Sequence, residues 1–167
     1  MRLPKSIAIL EDDHRRRVEM FRVLDDRFFL NRVLFFRTAP EMLAWLEESS
    51  NETLLLSLDH DLHDVEGEVN GAGTGMDVVE FLVARSASLQ RFPVVIHSTS
   101  VAAESMGRSL IDSGWAVARV TPYDDLEWIE RSWYQELKNS LKSPLNPGVE
   151  PTANGGPVHA RTTGTAR

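Results

Sequence analysis

The chain has no cysteine. It therefore has no means of building a disulfide, a thiolate metal site or a cysteine nucleophile. Long apolar runs are missing too. Ile7-Ala8-Ile9-Leu10 stops at Glu11-Asp12-Asp13, which is too short for the apolar region of a secretion signal. Nowhere does an apolar stretch approach the roughly 18 residues that a membrane span needs. Positive charge is scarce: 18 Lys and Arg face 25 Asp and Glu, a formal charge of −7. Binding to duplex DNA is driven largely by phosphate neutralisation, and this balance argues against it. The expectation is a cytoplasmic protein with no membrane contact. The shortage of cations is local as well as global. Between Arg37 and Arg85 there is no Lys or Arg, yet eleven acids lie there.

With 42% apolar residues in a chain of 167, there is material for one ordinary core. Residues 1–142 read as the domain, with regular patterning from Ser6 onward. From Ser143 to Arg167 the chain is rich in Pro and Gly, poor in bulky apolar residues and without periodicity. Such a segment buries too little to offset its ordering entropy, so 143–167 is expected to be a disordered tail.

Within the domain, short β-branched or apolar runs alternate with amphipathic stretches. Strands are expected at Ser6–Leu10, Arg32–Phe36, Leu54–Leu58, Pro93–His97 and Trp115–Val120. Helices are expected at Asp13–Arg27, with Val18, Phe21 and Leu24 on one face and arginines on the other, and from Thr38 to Glu48, opened by a capping box. Three more follow at Gly75–Arg85, Val101–Ser113 (ended by Gly114) and Asp125–Leu141. Five βα units imply an α/β fold. The expected form is a flavodoxin-like doubly wound sheet of five parallel strands, ordered 2-1-3-4-5 with helices on both faces.

Ligands of such sheets bind beyond the carboxyl ends of the strands. That rim receives Glu11, Asp12 and Asp13 after strand one, and Asp59-His60-Asp61-Leu62-His63-Asp64 after strand three. Strand four delivers His97-Ser98-Thr99-Ser100, and strand five Thr121-Pro122. Carboxylates packed this closely repel unless a positive charge sits among them, and a hard divalent cation is the simplest remedy. Glu11, Asp12 and Asp59 are the candidate ligands, whereas Asp64, Glu66 and Glu68 are expected to face water. His60 and His97 are candidates for proton transfer. Ser98 and Thr99 precede a helix, where hydroxyls and free N–H groups suit an anion, and Ser100 is expected to act as a helix cap.

These residues resemble the receiver domain of bacterial response regulators over residues 6 to about 142. The resemblance rests on Glu11-Asp12, Asp59, Ser98 and Gly75. It implies a Mg²⁺ or Mn²⁺ ion held directly by Asp12 and Asp59, through water by Glu11, and by the backbone carbonyl at Asp61. Phosphorylation of Asp59 by a histidine kinase is the activity that goes with it. Three departures stand out: Thr121 replaces the usual lysine, Ala118 the usual aromatic, and an insertion runs from His63 to Thr74. Asp59-His60-Asp61-Leu62 with His97-Ser98 is similar to the receiver subfamily associated with cyclic-phosphate processing. That similarity implies a metal-dependent phosphoesterase acting on a phosphorylated small molecule or RNA end. The alternatives are a stand-alone receiver phosphorylated on Asp59 and a degenerate receiver that only binds a partner.

Overall fold

Strands β1 (Ser6–Leu10), β2 (Arg32–Phe36), β3 (Thr53–Leu58), β4 (Val94–His97) and β5 (Val117–Val120) form one sheet, ordered β2-β1-β3-β4-β5. Every pairing is parallel. The computed structural model describes residues 4–25, 27–28, 30–63, 71–123 and 125–143. Five helices complete it: α1 (His14–Asp25), α2 (Ala39–Ser49), α3 (Gly75–Ala84), α4 (Ala102–Asp112) and α5 (Tyr134–Lys142). A π-helical turn, Ile129–Trp133, leads into α5. This is the expected doubly wound arrangement. The proposed tail beyond Ser143 lies outside the described residues, as do Asp64, Glu66 and Glu68.

The central strands are apolar because both their faces are covered. Alternation along β1 sends Ala8 and Leu10 to one side and Ile7 and Ile9 to the other. Ala8 and Leu10 join Met42, Leu46, Val79, Leu82 and Met106 from α2, α3 and α4. Ile7 and Ile9 join Met20, Val23, Leu24, Trp128, Trp133 and Leu137 from α1 and the α5 region. Trp128 and Trp133 are both buried, so neither is available as a surface for a second copy.

Local signals account for the connections. The Thr38 hydroxyl accepts from the Glu41 N–H at 3.3 Å, and the Glu41 carboxylate accepts from the Thr38 N–H at 3.3 Å. That reciprocal cap opens α2. Gly114 follows α4 with φ of 81°, a left-handed conformation that costs glycine little.

The expected inner face of α1 is corrected. Val18 and Phe21 are exposed, and Met20, Val23 and Leu24 are buried instead. The helix is rotated because Arg16 and Arg17 are drawn toward the acidic rim. Positions 16, 20, 23 and 24 share one face at 3.6 residues per turn. Trp115 and Ala116, expected in β5, precede it.

Gly75 opens α3 against the loop that carries Asp59. Its N–H donates to the His60 carbonyl at 3.1 Å. A Cβ on Gly75 would overlap the Asp59 carbonyl and lie 2.8 Å from Met106 Cε. Gly107 in α4 has ordinary room, with its nearest neighbour at 3.5 Å. Gly75→Ala is therefore expected to destabilise the fold by about 1–3 kcal/mol. Gly107→Ala should stabilise it by up to about 1 kcal/mol through helix propensity. Urea unfolding of both variants checks the contrast, and equal effects would contradict the packing described.

Candidate metal and phosphate site

Three carboxylates meet where β1 and β3 end. Ligand oxygens of Glu11, Asp12 and Asp59 all lie within 4.8 Å of one another. The backbone places them there: Glu11 N–H bonds the Phe36 carbonyl and Asp59 N–H bonds the Leu10 carbonyl, both at 3.0 Å. Each residue thus sits one step beyond a buried strand. Glu11 is fully buried and Asp59 is 4% exposed.

Neighbouring groups fix each acid. Glu11 Oε1 accepts from the Asp13 N–H at 2.9 Å. Its Oε2 is buried with no hydrogen-bond partner, although Arg16 Nη1 stands 3.5 Å away and His97 Nε2 3.4 Å away. A buried carboxylate oxygen without a partner, on an acid clustered with two others, is the arrangement that a divalent cation completes, so these residues fit the ion. Asp59 Oδ1 accepts from the His60 N–H at 2.7 Å, and Oδ2 faces Arg16 Nη1 at 3.3 Å. Burial, and then the Glu11 charge, hold Asp59 above its ordinary pKa, against the pull of His97, Ser98 and the His60 N–H. Asp12 differs. Burial would raise it, but the His63 N–H and imidazole together bring it below its ordinary value.

The histidines divide. His97 is fully buried, its ring stacked near Trp128 at 6.2 Å. Its Nδ1 lies 2.8 Å from the Ser57 hydroxyl, which also accepts from Trp133 Nε1 at 2.8 Å. Indole can only donate. A hydroxyl has one proton and two lone pairs, so Ser57 meets Trp133 and His97 at once, and His97 Nε2 faces Glu11 Oε2 at 3.4 Å. That placement suits a positioning residue rather than one that reaches a substrate. His60 is accessible, its Nδ1 at 2.5 Å from Asp61 Oδ1. His63 is largely exposed, and its bond to Asp12 raises its pKa.

The remaining expected residues are placed as follows. The Asp61 carboxylate is exposed, sits with His60 and stands outside the three-acid cluster. An antiparallel bridge to Thr74 holds its backbone. Ser98 is buried and its hydroxyl accepts from the Ser100 N–H at 3.2 Å. The Ser100 hydroxyl accepts from the Ala102 N–H at 3.4 Å, in keeping with a cap. Thr99 is exposed and lines a cleft of about 460 Å³ with Arg15, Arg16, Tyr123 and Trp128.

Sequence reasoning missed Arg16 and Arg17. Arg17 Nη1 donates to the Glu11 carbonyl at 3.1 Å and to the Asp12 carbonyl, fixing the loop. The only signal was Arg15-Arg16-Arg17 directly after the acids, which reads equally well as a solvated helix face.

The raised Asp59 pKa has a stability consequence. The fold favours the protonated acid, and that contribution is present below the unfolded-state pKa and lost as pH rises through the folded-state one. At neutral pH without metal, Asp59 therefore weakens the fold. Asp59→Asn is expected to raise the metal-free melting temperature by about 2–4 °C, with the gain shrinking on acidification. Millimolar Mg²⁺ should raise the wild-type Tm and leave the variant's unchanged. Calorimetry across pH, with and without the ion, checks both.

Residues 7–113 match the family model described as Cyclic-phosphate processing Receiver domain. No curated protein sequence matches the chain. Among solved structures it is similar to the phosphorylated cyanobacterial phytochrome response regulator RcpA, with 21% identity and a TM-score of 0.66, over 87% of this chain and 99% of that one. The Mn²⁺-bound response regulator Rcp1 gives 18% identity and 0.61, over 87% and 100%. A receiver domain from Rhodospirillum rubrum gives 22% and 0.59, over 86% and 99%. These likenesses bear on the fold, which is that of a response-regulator receiver. By its match over residues 7–113, the chain belongs to the family of cyclic-phosphate processing receiver domains.

Proposed function

We propose that this receiver domain handles phosphoryl groups at Asp59 with Mg²⁺ or Mn²⁺ held by Glu11, Asp12 and Asp59. The observation that carries the reading is the cluster itself, three acids within 4.8 Å with Glu11 and Asp59 buried. A divalent cation there supplies charge that offsets negative charge developing on phosphoryl oxygens. The chain's own residues do the rest. Burial makes the Asp59 carboxylate more basic, and the His60 N–H fixes Oδ1. Oδ2 faces Arg16, which borders the open cleft. An Asp59 oxygen bonds to phosphorus as the donor's P–N bond (phosphohistidine) or P–O bond (acyl phosphate) breaks, the leaving nitrogen or oxygen keeping the electron pair. Ser98 lies beside Asp59, where its hydroxyl can meet a phosphoryl oxygen. The donor in this reading is a histidine kinase or a small acyl phosphate. RcpA is phosphorylated and Rcp1 carries Mn²⁺ in their structures, in keeping with both parts of the proposal.

A second reading, opening of a cyclic phosphate on a nucleotide or RNA end, is favoured by His60 and by the family's description. His60 is accessible one residue from Asp59 and oriented by Asp61. It could take the proton of an attacking water or return one to the departing ribose oxygen.

One experiment separates them. Wild type and Asp59→Asn are incubated with Mg²⁺ and either acetyl phosphate or an RNA oligonucleotide ending in a 2′,3′-cyclic phosphate. The expected result is gain of one phosphoryl group by wild type alone, seen by intact mass and abolished by chelation. Ring opening that needs Asp59 and metal, without protein labelling, would instead establish the second reading. Absence of both reactions would sink both.

A further inference from the structure

We propose that Arg16 is the residue that binds the phosphoryl oxygens at Asp59, entering the site from helix α1. The inference rests on the reading that Asp59 carries the phosphoryl group. A phosphoryl group on a carboxylate adds oxygens that need cationic donors besides the ion. Strand β5 supplies none at its end: Thr121 is exposed and neutral, and Pro122 follows. Among the described residues, the Lys or Arg that reaches the carboxylates of Glu11 and Asp59 is Arg16.

Its geometry suits the task. Nη1 lies 3.3 Å from Asp59 Oδ2 and 3.5 Å from Glu11 Oε2. The guanidinium carbon sits 5.8 Å from the centre of the buried Trp128 ring, which limits where the group can go. The side chain stays 32% exposed, on the wall of the cleft shared with Thr99 and Pro122. A phosphoryl group on Oδ2 would therefore lie beside a planar cation that itself borders the cleft. Arginine presents five N–H donors in a fixed fork, matched to phosphate geometry. The Asp59 contact made without a phosphoryl group then becomes one to its oxygens, with Arg16 moving little. A cation used only to quieten the acids would need neither the cleft nor the exposed edge.

Beryllofluoride, which mimics a phosphoryl group on a carboxylate, is the probe. Its affinity in saturating Mg²⁺ is read by fluorine NMR for wild type, Arg16→Ala, and Arg16→Ala combined with Thr121→Lys. Mg²⁺ affinity is measured separately on each. Arg16→Ala is expected to weaken beryllofluoride binding about 10- to 100-fold while Mg²⁺ binding persists. Thr121→Lys, which places a cation just beyond β5 next to the cleft residue Pro122, should recover most of that loss. If Arg16→Ala binds beryllofluoride like wild type and only binds Mg²⁺ more tightly, Arg16 merely neutralises the acids and the inference falls. A loss that Thr121→Lys does not recover would also overturn it. If wild type binds no beryllofluoride at all, the phosphoryl reading of Asp59 fails, and the role given to Arg16 fails with it.

Discussion

Glu11 and Asp59 are carboxylates packed against each other out of water, at the ends of neighbouring parallel strands. Like charges in such a place repel strongly and are poorly screened. Much of the surrounding structure contains that repulsion. Arg16 faces both acids, and Arg17 ties down the carbonyls of the Glu11–Asp12 loop. Backbone N–H groups of Asp13 and His60 each hold one carboxylate oxygen. His97 Nε2 lies 3.4 Å from Glu11, and Gly75 packs against the backbone that carries Asp59.

The parts of this arrangement that were legible in the sequence are those set by neighbours in the chain. Strands β1 and β2 were read at their observed limits because apolar runs bounded by charge mark them directly. The Thr38–Glu41 cap of α2 is a four-residue signal and was equally plain. Glu11, Asp12 and Asp59 could be grouped because each follows a buried strand closely, and parallel strands deliver their ends to one rim. No long-range knowledge was needed beyond strand order.

What stayed hidden depends on contacts between distant positions. Ser57 reads as one more small residue in β3, yet it joins His97, 40 residues away, to Trp133, 76 residues away. The face of α1 was misread for a related reason. Val18, Phe21 and Leu24 form as plausible an apolar stripe as Met20, Val23 and Leu24, and periodicity alone does not rank them. The choice is made by Arg16 and Arg17, whose partners lie in the strand-end loops. Once those two side chains point at the acids, the residues one and two turns further along on that face must meet the sheet.

The same reasoning explains why an imidazole stands at position 97. The alternation of β4 turns this side chain onto the α1 and α5 face, among Trp128 and Trp133. A hydrocarbon there would take a polar neighbour from a Glu11 oxygen that is already buried without a hydrogen bond. An ammonium group would neutralise the carboxylate that a cation has to find. The imidazole meets Ser57 through Nδ1 and turns Nε2 toward Glu11. Trp133 Nε1 donates to the same Ser57 hydroxyl and so anchors it beside the ring. The π-helical turn bears on this too. Tyr134 N–H bonds the Ile129 carbonyl five residues back, and this wider turn carries Trp133 into the core beside Ser57. A local irregularity of the backbone near the C-terminal end of the domain is thereby linked, through Trp133, Ser57 and His97, to an acid at its N-terminal end.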